Sequence, residues 1–481
     1  MSAMRLDVRG VELGNDVETD AMTDTQKEAQ TPYRLIGPSD SGEVNDLLAD
    51  QITKNAKHRL QALIAEWLRM ENLVVLTGAG TSVSSGGKVM ASLERDVLET
   101  VKETKTFPGT VVKDNVLKIV EDRQKESPKS GFEDWLSFLV NASHLGAAPS
   151  SPFSGVKWKG SATPTQTDLS WFVERVGRSI FAECALTLPD VKEAGSAGIA
   201  PHLSFLAKLV ARDSNLGRAH LFTLNYDTLF EQALELLGIQ YFDGFTGRAD
   251  ARFDPSVYGL DIYYPGEVAE GRVRRFDKFV HLYKLHGSIH WQVRGDELRA
   301  RHSDLQPFTA YRAQTCAERS RSLDELTKGL PSVAILPTAN KLAQTLSMPF
   351  AHLFRLLQIR LSAPQTFLLV LGYGFGDEHV TRIIETALMN PSLVMLVVEP
   401  DPKSQTIERI RRYKELGKRA FVFTPTDAAF EASNFKYATF DDFGRSVMPD
   451  VQWLEDFLRL RRFEKQIAAG REQGDDMNGE A

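Results

Sequence analysis

The sequence predicts an α/β fold in which a mainly parallel sheet carries helices on both faces. Short apolar segments typical of buried strands recur along the chain, as in LVVL from Leu73. From about residue 219, strand patterns alternate with turns and amphipathic helical patterns, which is typical of parallel sheets. The patterns between about 85 and 220 are helical instead, so we expect a large helical insertion in the sheet domain.

The elements before residue 220 follow from the spacing of apolar residues. A helical pattern, NAKHRLQALIAEWLRME, leads directly into the strand NLVVLTG. The insertion contains three segments with apolar residues at helical spacing: GFEDWLSFLVNASHLG, DLSWFVERVGRSIFAECAL and PHLSFLAKLVAR. We expect all three to be helices.

The elements after residue 219 form a series of strands and helices. The strand AHLFTLNYD precedes the helix TLFEQALELLG, and a strand with a break lies in KFVHLYKLHGSIHW. Residues 295–330 are charged and indicate a loop. A short strand SVAILP, a helix PFAHLFRLLQIRLSA, a strand–turn–helix unit TFLLVLGYGFGDEHVTRIIETAL and a buried strand SLVMLVVEPDP complete the series.

This pattern divides the chain into three parts. Residues 1–45 are polar and predict a flexible leader, residues 46–400 the α/β domain with its insertion, and residues 401–481 a helical extension. The extension contains an amphipathic segment, DVQWLEDFLRLRRFEKQIAAG. Its apolar side packs either on the same domain or on a neighbouring subunit, which would make the extension an assembly element.

Composition excludes several classes of protein. The 481 residues carry a net charge of -7, which argues against a protein that mainly coats nucleic acid. The two cysteines, Cys184 and Cys316, are too few for a four-cysteine zinc site and too far apart to suggest a disulfide framework. There is no signal-peptide pattern and no uninterrupted apolar run of membrane-spanning length, so we expect a cytoplasmic protein.

Unusual residues follow five of the predicted strands. Ligands of parallel sheets bind outside the carboxyl ends of the strands, so these positions are candidates for a binding site. Each also has an ordinary structural explanation, such as a tight turn, a helix cap or a buried structural histidine. The candidates are Gly78, Ala79, Gly80 and Ser82; Thr223, Asn225 and Asp227; His286; Gly372, Tyr373 and Asp377; and Glu399.

The order and spacing of these segments resemble the sirtuin NAD-binding fold, and in particular the bacterial sirtuin-like domain family. Members carry NYD, HGS and GYSF-x-D-x-H segments, which correspond here to NYD from Asn225, HGS from His286 and GYGFGDEH from Gly372. LPTANK, from Leu336, resembles a loop common in the family. The resemblance covers roughly residues 70–400 and implies a Rossmann-like, sirtuin-type fold.

The resemblance also implies roles for the candidate residues. The loop of Gly78, Ala79, Gly80 and Ser82 would wrap the diphosphate of NAD. Asn225 would orient a water or a ribose hydroxyl, and His286 would be the general base. Thr223 is included among the NAD-binding residues, and Asp227 would hold the nicotinamide side or order its loop. The adenosine half would lie against Gly372, Tyr373 and Asp377, with Glu399 on a ribose.

The activity implied is hydrolysis of NAD, as substrate, to nicotinamide and ADP-ribose, in antiviral defence by NAD depletion (abortive infection). The sequence lacks a GxxxxGK[ST] phosphate loop, so we expect an activating partner encoded separately: a HerA-like hexameric ATPase or, alternatively, a short Argonaute. We also expect a homo-oligomer, with no membrane association and no direct nucleic-acid binding.

Two other functions stay open at this point. A protein deacylase would use the same substrate, but the chain has SSGGKVM where protein-deacylating sirtuins have SGIPDFR, and it lacks the cysteines of their zinc ribbon, so no zinc is expected. A non-catalytic sensor would bind NAD-derived nucleotides without turnover. A dehydrogenase is disfavoured because GAGTS does not have GxGxxG spacing.

Overall fold

A computed structural model describes the parts of the chain on which the site depends. The described residues are 31–38, 45–49, 53–104, 112–126, 131–145, 166–189, 199–213, 216–247, 249–263, 276, 278–294, 297–328, 348–415, 419–432 and 437–450. Within them, no helix combines the length and the apolar character needed to cross a membrane.

The centre of the fold is a nine-stranded sheet with the order β2-β1-β13-β12-β11-β3-β4-β8-β5. From β13 to β5 all neighbouring strands are parallel, and β1 and β2 add an antiparallel edge. The strands are β1 (Tyr33–Gly37), β2 (Asn45–Asp46), β3 (Asn72–Thr77), β4 (Ala219–Thr223), β5 (Gln240–Phe242), β8 (Phe279–Lys284), β11 (Thr366–Leu371), β12 (Val394–Val398) and β13 (Ala420–Pro425). The parallel-dominated α/β fold is therefore confirmed.

The strand order places a topological switch point at the centre of the sheet. The chain leaves β3 towards β4 and β8, then crosses to the other side of β3 with β11 and continues outward to β12 and β13. Six of these strands thus repeat the doubly wound order 3-2-1-4-5-6, in which the topological switch point lies between the first and fourth strands. Here that point lies between β3 and β11.

Helices cover both faces of this sheet. The alternation of side chains along β3 directs Leu73 and Val75 into one hydrophobic core and Val74 and Leu76 into the other. The helices are α1 (Thr53–Leu68), α2 (Met90–Lys102), α3 (Val112–Glu126), α4 (Phe132–Leu145), α5 (Gln166–Cys184), α6 (Pro201–Val210), α7 (Leu229–Leu236), α8 (Gln306–Arg312), α9 (Cys316–Leu326), α10 (Phe350–Ser362), α11 (Glu378–Ala387), α12 (Gln405–Glu415), α13 (Asp427–Glu431) and α14 (Phe440–Asp442).

The segment between β3 and β4 contains helices α2–α6, at the place where the sequence predicts the insertion. Four of them, α2 to α5, share a hydrophobic core of their own, which includes Val97, Val116, Trp135 and Phe172. The end of α5 joins a separate small core with α8 and α9, in which Phe181 packs edge-on against Phe308 at a ring-centroid distance of 5.5 Å. This small core also contains Tyr226, so the insertion touches the ends of the sheet strands.

The structure corrects two sequence-based expectations. Tyr33–Gly37 and Ala420–Pro425 lie in segments predicted as a flexible leader and a helical extension, yet they pair with each other as antiparallel strands of the main sheet. Residues 297–326, predicted as a loop, contain β10 (Glu297–Ala300), α8 and α9. β10 joins a second, antiparallel sheet with β6 (Phe245–Thr246), β7 (Ala251–Phe253) and β9 (Trp291–Arg294).

The strand SVAILP, the LPTANK loop and the amphipathic C-terminal segment lie outside the described residues.

Candidate functional site

The register of the sheet brings the candidate residues to one edge. Thr77 pairs with Leu371 on one side and Thr223 on the other, and Thr223 pairs with Lys284. The residue after each strand donates to the last residue of its neighbour: Gly78 N to Leu371 O at 3.0 Å, Leu224 N to Thr77 O at 2.9 Å, and Leu285 N to Thr223 O at 2.9 Å. The four strand-end loops therefore start level with one another.

This register places Asn225 and His286 at equivalent positions on adjacent strands, each two residues beyond a paired strand end. The ring of Tyr226, next to Asn225, lies 6.4 Å from the ring of His286. The loops are also joined by a hydrogen bond from Ile289 N to Tyr226 O at 3.0 Å. Both candidate catalytic residues thus lie at the same edge of the sheet.

The glycines after β3 and β11 pack against each other. Gly372 has φ +61, and a Cβ added there would lie 2.5 Å from Thr81 N. A Cβ on Gly80 would lie 2.6 Å from Gly372 Cα, and one on Gly78 would lie 2.6 Å from Gly372 O. Gly80 N donates to Gly372 O at 3.0 Å. The small residues therefore allow two backbone turns to touch at the switch point. This contact requires glycine at these positions whether or not a ligand binds.

The loop after β3 does not lead directly into an α-helix. Residues Ala79–Thr81 and Val83–Ser85 form two short 3₁₀ turns, and α2 begins only at Met90. The amides of Thr81 and Ser82 donate to Gly78 O at 3.0 Å and Ala79 O at 3.1 Å. These amides are used inside the turn, while Ala79 is exposed at its surface.

A buried hydrogen-bond network fixes the orientation of Asn225. Its Nδ2 donates to Gly78 O at 3.1 Å, to Thr81 Oγ1 at 3.1 Å and to Ser82 Oγ at 2.9 Å. Because a carbonyl oxygen can only accept, the group that faces Gly78 must be the amide nitrogen. Among the described residues, none donates to Asn225 Oδ1, so this oxygen is available to a bound molecule.

Asp227 completes this network rather than standing apart from it. Ser82 Oγ donates to Asp227 Oδ2 at 2.7 Å, and Leu229 N donates to Asp227 Oδ1 at 3.1 Å. Both carboxylate oxygens are therefore engaged in ordering the loops after β3 and β4. Of the two roles considered for Asp227, this geometry supports ordering of the loop.

Lys284 lies beneath this network, and its role is absent from the sequence-based predictions. Its Nζ forms an ion pair with Glu231 Oε1 at 2.9 Å and also donates to the main-chain oxygen of Asp227. The Lys284 side chain is only 2% exposed. Burial raises the pKa of Glu231, while the lysine opposes that shift. The signal was present in the sequence as a lysine that ends the mainly apolar strand FVHLYK.

His286 faces a carboxylate from the loop after β11. Its Nε2 lies 3.0 Å from Asp377 Oδ2. Asp377 is the N-cap of α11, and its other oxygen, Oδ1, accepts from His379 N at 3.1 Å and Val380 N at 3.4 Å. The sequence predicts Asp377 beside adenosine, whereas in the structure it lies against the predicted general base.

Three further candidates form hydrogen bonds with backbone groups close to them in sequence. Thr223 Oγ1 accepts from Asn225 N at 3.1 Å. Tyr373 is buried, and its hydroxyl donates to Asp377 O at 2.9 Å. Glu399 Oε1 accepts from Asp401 N at 3.1 Å, and burial raises the pKa of this carboxyl. Glu399 lies at the end of β12, on the β11 side of the switch point, so the structure separates it from His286 by the strands β11, β3 and β4.

The described residues contain no group of three or more His, Cys, Asp or Glu side chains arranged to bind a metal ion. Among the described residues, this edge presents the amide oxygen of Asn225, the imidazole of His286 and the carboxylate of Asp377. An amide oxygen accepts hydrogen bonds from hydroxyl groups, and an imidazole takes up a proton near neutral pH.

Comparison with known families agrees with this arrangement. Residues 219–421 match the model of the SIR2-like domain, a range that includes Asn225, His286 and Asp377 and begins after the glycines that follow β3. A search of curated proteins gives no match for the chain. Together with the doubly wound sheet, this match supports a SIR2-like domain over residues 219–421 of the chain.

Proposed function

We propose that this protein is an NAD glycohydrolase that cleaves NAD to nicotinamide and ADP-ribose. The observation that carries the proposal is the position of Asn225 and His286 on adjacent strand ends, at the ligand-binding edge of a doubly wound sheet. SIR2-like domains use NAD, and residues 219–421 match that domain.

The residues of this edge fit NAD as substrate. Asn225 presents an oxygen that can accept from a ribose hydroxyl or a water, while its nitrogen is held by three acceptors. The touching glycine turns lie at the switch point between β3 and β11, where a dinucleotide binds in folds of this order. Ser82 Oγ and the Thr81 amide are engaged within the protein, so a diphosphate would be held by other groups of the loop unless the loop rearranges.

The reaction breaks the bond between C1′ of the ribose and the pyridinium nitrogen of nicotinamide. The electron pair of that bond passes to nicotinamide, which leaves neutral, and the ribose carbon develops oxocarbenium character. The oxygen of a water molecule bonds to C1′ while His286 accepts a proton from that water. Asn225 orients the water or a ribose hydroxyl. The products are nicotinamide, ADP-ribose and one proton.

Water is favoured over an acyl-lysine substrate by the sequence at the loop after β3. The segment SSGGKVM replaces the SGIPDFR of protein-deacylating sirtuins, and the chain has only two cysteines. A deacylase would require acyl peptide for nicotinamide release and would form O-acyl-ADP-ribose. A sensor would bind the nucleotide without any release.

The biological part of the proposal is NAD depletion as an effector of antiviral defence. It rests on the resemblance of the NYD, HGS and GYGFGDEH segments to bacterial sirtuin-like proteins. An enzyme that destroys NAD needs control, so we propose activation within a homo-oligomer by a separately encoded partner. A HerA-like hexameric ATPase is the leading candidate, and a short Argonaute is the alternative.

The test is release of nicotinamide from NAD by the purified full-length chain, alone and with the candidate ATPase. We expect Asn225→Ala and His286→Ala each to abolish release without a change in folding, as measured by circular dichroism. His58→Ala, at an exposed position on α1, is the matched control and should retain turnover.

Chromatography of the products separates the competing functions. Linear ADP-ribose indicates hydrolysis, and O-acyl-ADP-ribose formed only with acyl peptide indicates deacylation. Wild-type turnover in both Asn225→Ala and His286→Ala would disprove the site. Tight nucleotide binding without release, in the presence of both candidate partners, would favour the sensor.

A further inference from the structure

Asp377 is held in one orientation against His286 by its own helix. Oδ1 receives the amides of His379 and Val380 as the N-cap of α11, which directs Oδ2 to His286 Nε2 at 3.0 Å. Both side chains are largely buried, with 12% exposure for His286 and 7% for Asp377. Low exposure strengthens the interaction between a carboxylate and an imidazole because water screens it less.

The glycine turn, residues 372–377, fixes the backbone around this carboxylate. Gly372 and Phe375 have φ angles of +61 and +55. Phe375 O accepts from Arg409 Nη1 at 2.9 Å and from Thr381 Oγ1 at 3.3 Å. Tyr373 Oη donates to Asp377 O at 2.9 Å. The turn is thus anchored by α11 and α12, and the position of Asp377 follows from both helices.

We infer that Asp377 is a positioning residue, which keeps the proton of neutral His286 on Nε2 and so leaves Nδ1 as the basic nitrogen. The inference rests on the proposed function, in which His286 is the general base. It replaces the adenosine-binding role predicted for Asp377. The 3.0 Å separation is that of an ion-pair contact, and an ionised carboxylate accepts hydrogen bonds but repels a nitrogen lone pair, so the nitrogen that faces it is favoured to carry the hydrogen. The lone pair of a neutral imidazole is then on the other nitrogen.

The surroundings of the ring are consistent with this assignment. The titratable groups placed against His286 include Asp377 Oδ2 from the α11 side and the phenol of Tyr226 from the loop after β4. Burial raises the pKa of Tyr226 well above its usual value, so that phenol is neutral. Among the described residues, Asp377 therefore supplies a negative charge that stabilises the imidazolium formed when His286 accepts a proton.

Asp377→Asn tests the inference with little damage to the fold, because asparagine caps helices as well as aspartate does. Its amide can face Nε2 and donate to it, which favours the opposite tautomer. In nicotinamide release we expect kcat to fall roughly 10- to 100-fold with little change in KM. The acidic limb of the pH profile of kcat/KM should move to lower pH, because the variant lacks the charge that stabilises the imidazolium.

The matched control is Glu378→Gln, which removes the neighbouring charge on the same helix. Glu378 is 72% exposed and pairs with Arg382, so this variant should keep the wild-type kcat and pH profile. If Asp377 instead binds adenosine, Asp377→Asn will raise KM and leave kcat unchanged, and the positioning role is wrong.

A second readout is independent of turnover. Long-range ¹H–¹⁵N correlation spectra of histidine-labelled protein report which ring nitrogen carries the proton, and the His286 signals are identified by their loss in His286→Gln. We expect an Nε2–H tautomer in the wild type and in Glu378→Gln, and an Nδ1–H tautomer in Asp377→Asn. An unchanged tautomer in Asp377→Asn overturns the inference. If the expected tautomers are found but no variant or partner condition gives nicotinamide release, the proposed function is the part that fails.

Discussion

At the scale of single residues, the glycine after β11 is the most constrained position of the candidate site. Gly372 combines a left-handed backbone with a close contact to the neighbouring turn, since an added Cβ would lie within 2.8 Å of Thr81 N, Gly80 C and Gly80 Cα. The left-handed conformation costs a non-glycine residue roughly 1–2 kcal/mol, and forced overlap in a packed region adds about 1–3 kcal/mol.

We therefore expect Gly372→Ala to lower the free energy of unfolding by about 2–5 kcal/mol, measured by urea denaturation. Two other glycines separate the two causes. Gly238→Ala, at φ +64 with open space around it, should cost roughly 1 kcal/mol. Gly376→Ala, with ordinary φ and no neighbour within 4 Å, should cost less than about 0.5 kcal/mol. Equal losses in all three would contradict the contact between the turns.

The sequence indicated that these positions require glycine, but the structure shows a different reason for that requirement. A glycine-rich turn after a buried strand predicts a close approach of backbone to something bulky. Only the pairing of β3 with β11 shows that the neighbour is another turn. Likewise, His286 and Asp377 were both predicted as site residues, but their contact depends on strands that are far apart in sequence.

At the scale of elements, the buried Lys284–Glu231 pair joins β8 to α7 directly below the site. Lys284→Met would leave the Glu231 carboxylate buried without its counter-charge, which typically costs 3–5 kcal/mol. We expect a loss of about that size in urea denaturation. The exposed pair Arg382–Glu378 provides the control, and Arg382→Met should cost less than about 1 kcal/mol.

The double variant Lys284→Met/Glu231→Leu shows whether the loss comes from the unpaired charge. Replacement of a whole buried ion pair by apolar side chains is often neutral, so much of the stability should return. Some loss should remain because the main-chain oxygen of Asp227 also loses its donor. A double variant as unstable as Lys284→Met alone would show that the ion pair is not the cause.

Elements with long, regular patterns were predictable from the sequence, and short ones were not. The apolar periodicity of α5 and α10 and the apolar runs of β3, β11 and β12 indicated their type correctly. The strands of the antiparallel sheet have only two to four residues, too few for a period to emerge. Helix α9 is rich in charged residues, although the capping box of Thr315 and Glu318 marks its start.

At the scale of the whole molecule, strand order is the feature that the sequence did not supply. The alternation of strands and helices predicts a parallel sheet, but strand pairing depends on contacts across more than a hundred residues, such as β3 with β4 and with β11. The pairing of β1 with β13 joins segments almost 390 residues apart and could not be recognised from the local pattern of either. The position of the topological switch point follows from this order.

The folded molecule also buries several histidines in a neutral state, and this makes its stability depend on pH. Burial lowers the pKa of His202 to about 3, that of His290 to about 3 and that of His281 to about 4. In the unfolded chain these groups titrate near pH 6.5. Their folded pKa values are depressed, so the unfolded state binds more protons below pH 6.5, and stability falls as the pH decreases from there towards 3.

His202 is the best position at which to measure this effect. It packs between the rings of Phe230 and Phe440, each 4.9 Å away, and neither ring nitrogen has a hydrogen-bond partner among the described residues. Between pH 6 and pH 5, before most carboxylates titrate, one such histidine makes the free energy of unfolding change by up to about 1.4 kcal/mol per pH unit.

His202→Leu should therefore reduce the pH dependence of the unfolding free energy by about 1 kcal/mol per pH unit in urea denaturation. His58→Leu, at an exposed position, should leave that slope unchanged. If His202→Leu and the wild type show the same slope, His202 is protonated in the folded protein and its neutral burial is disproved.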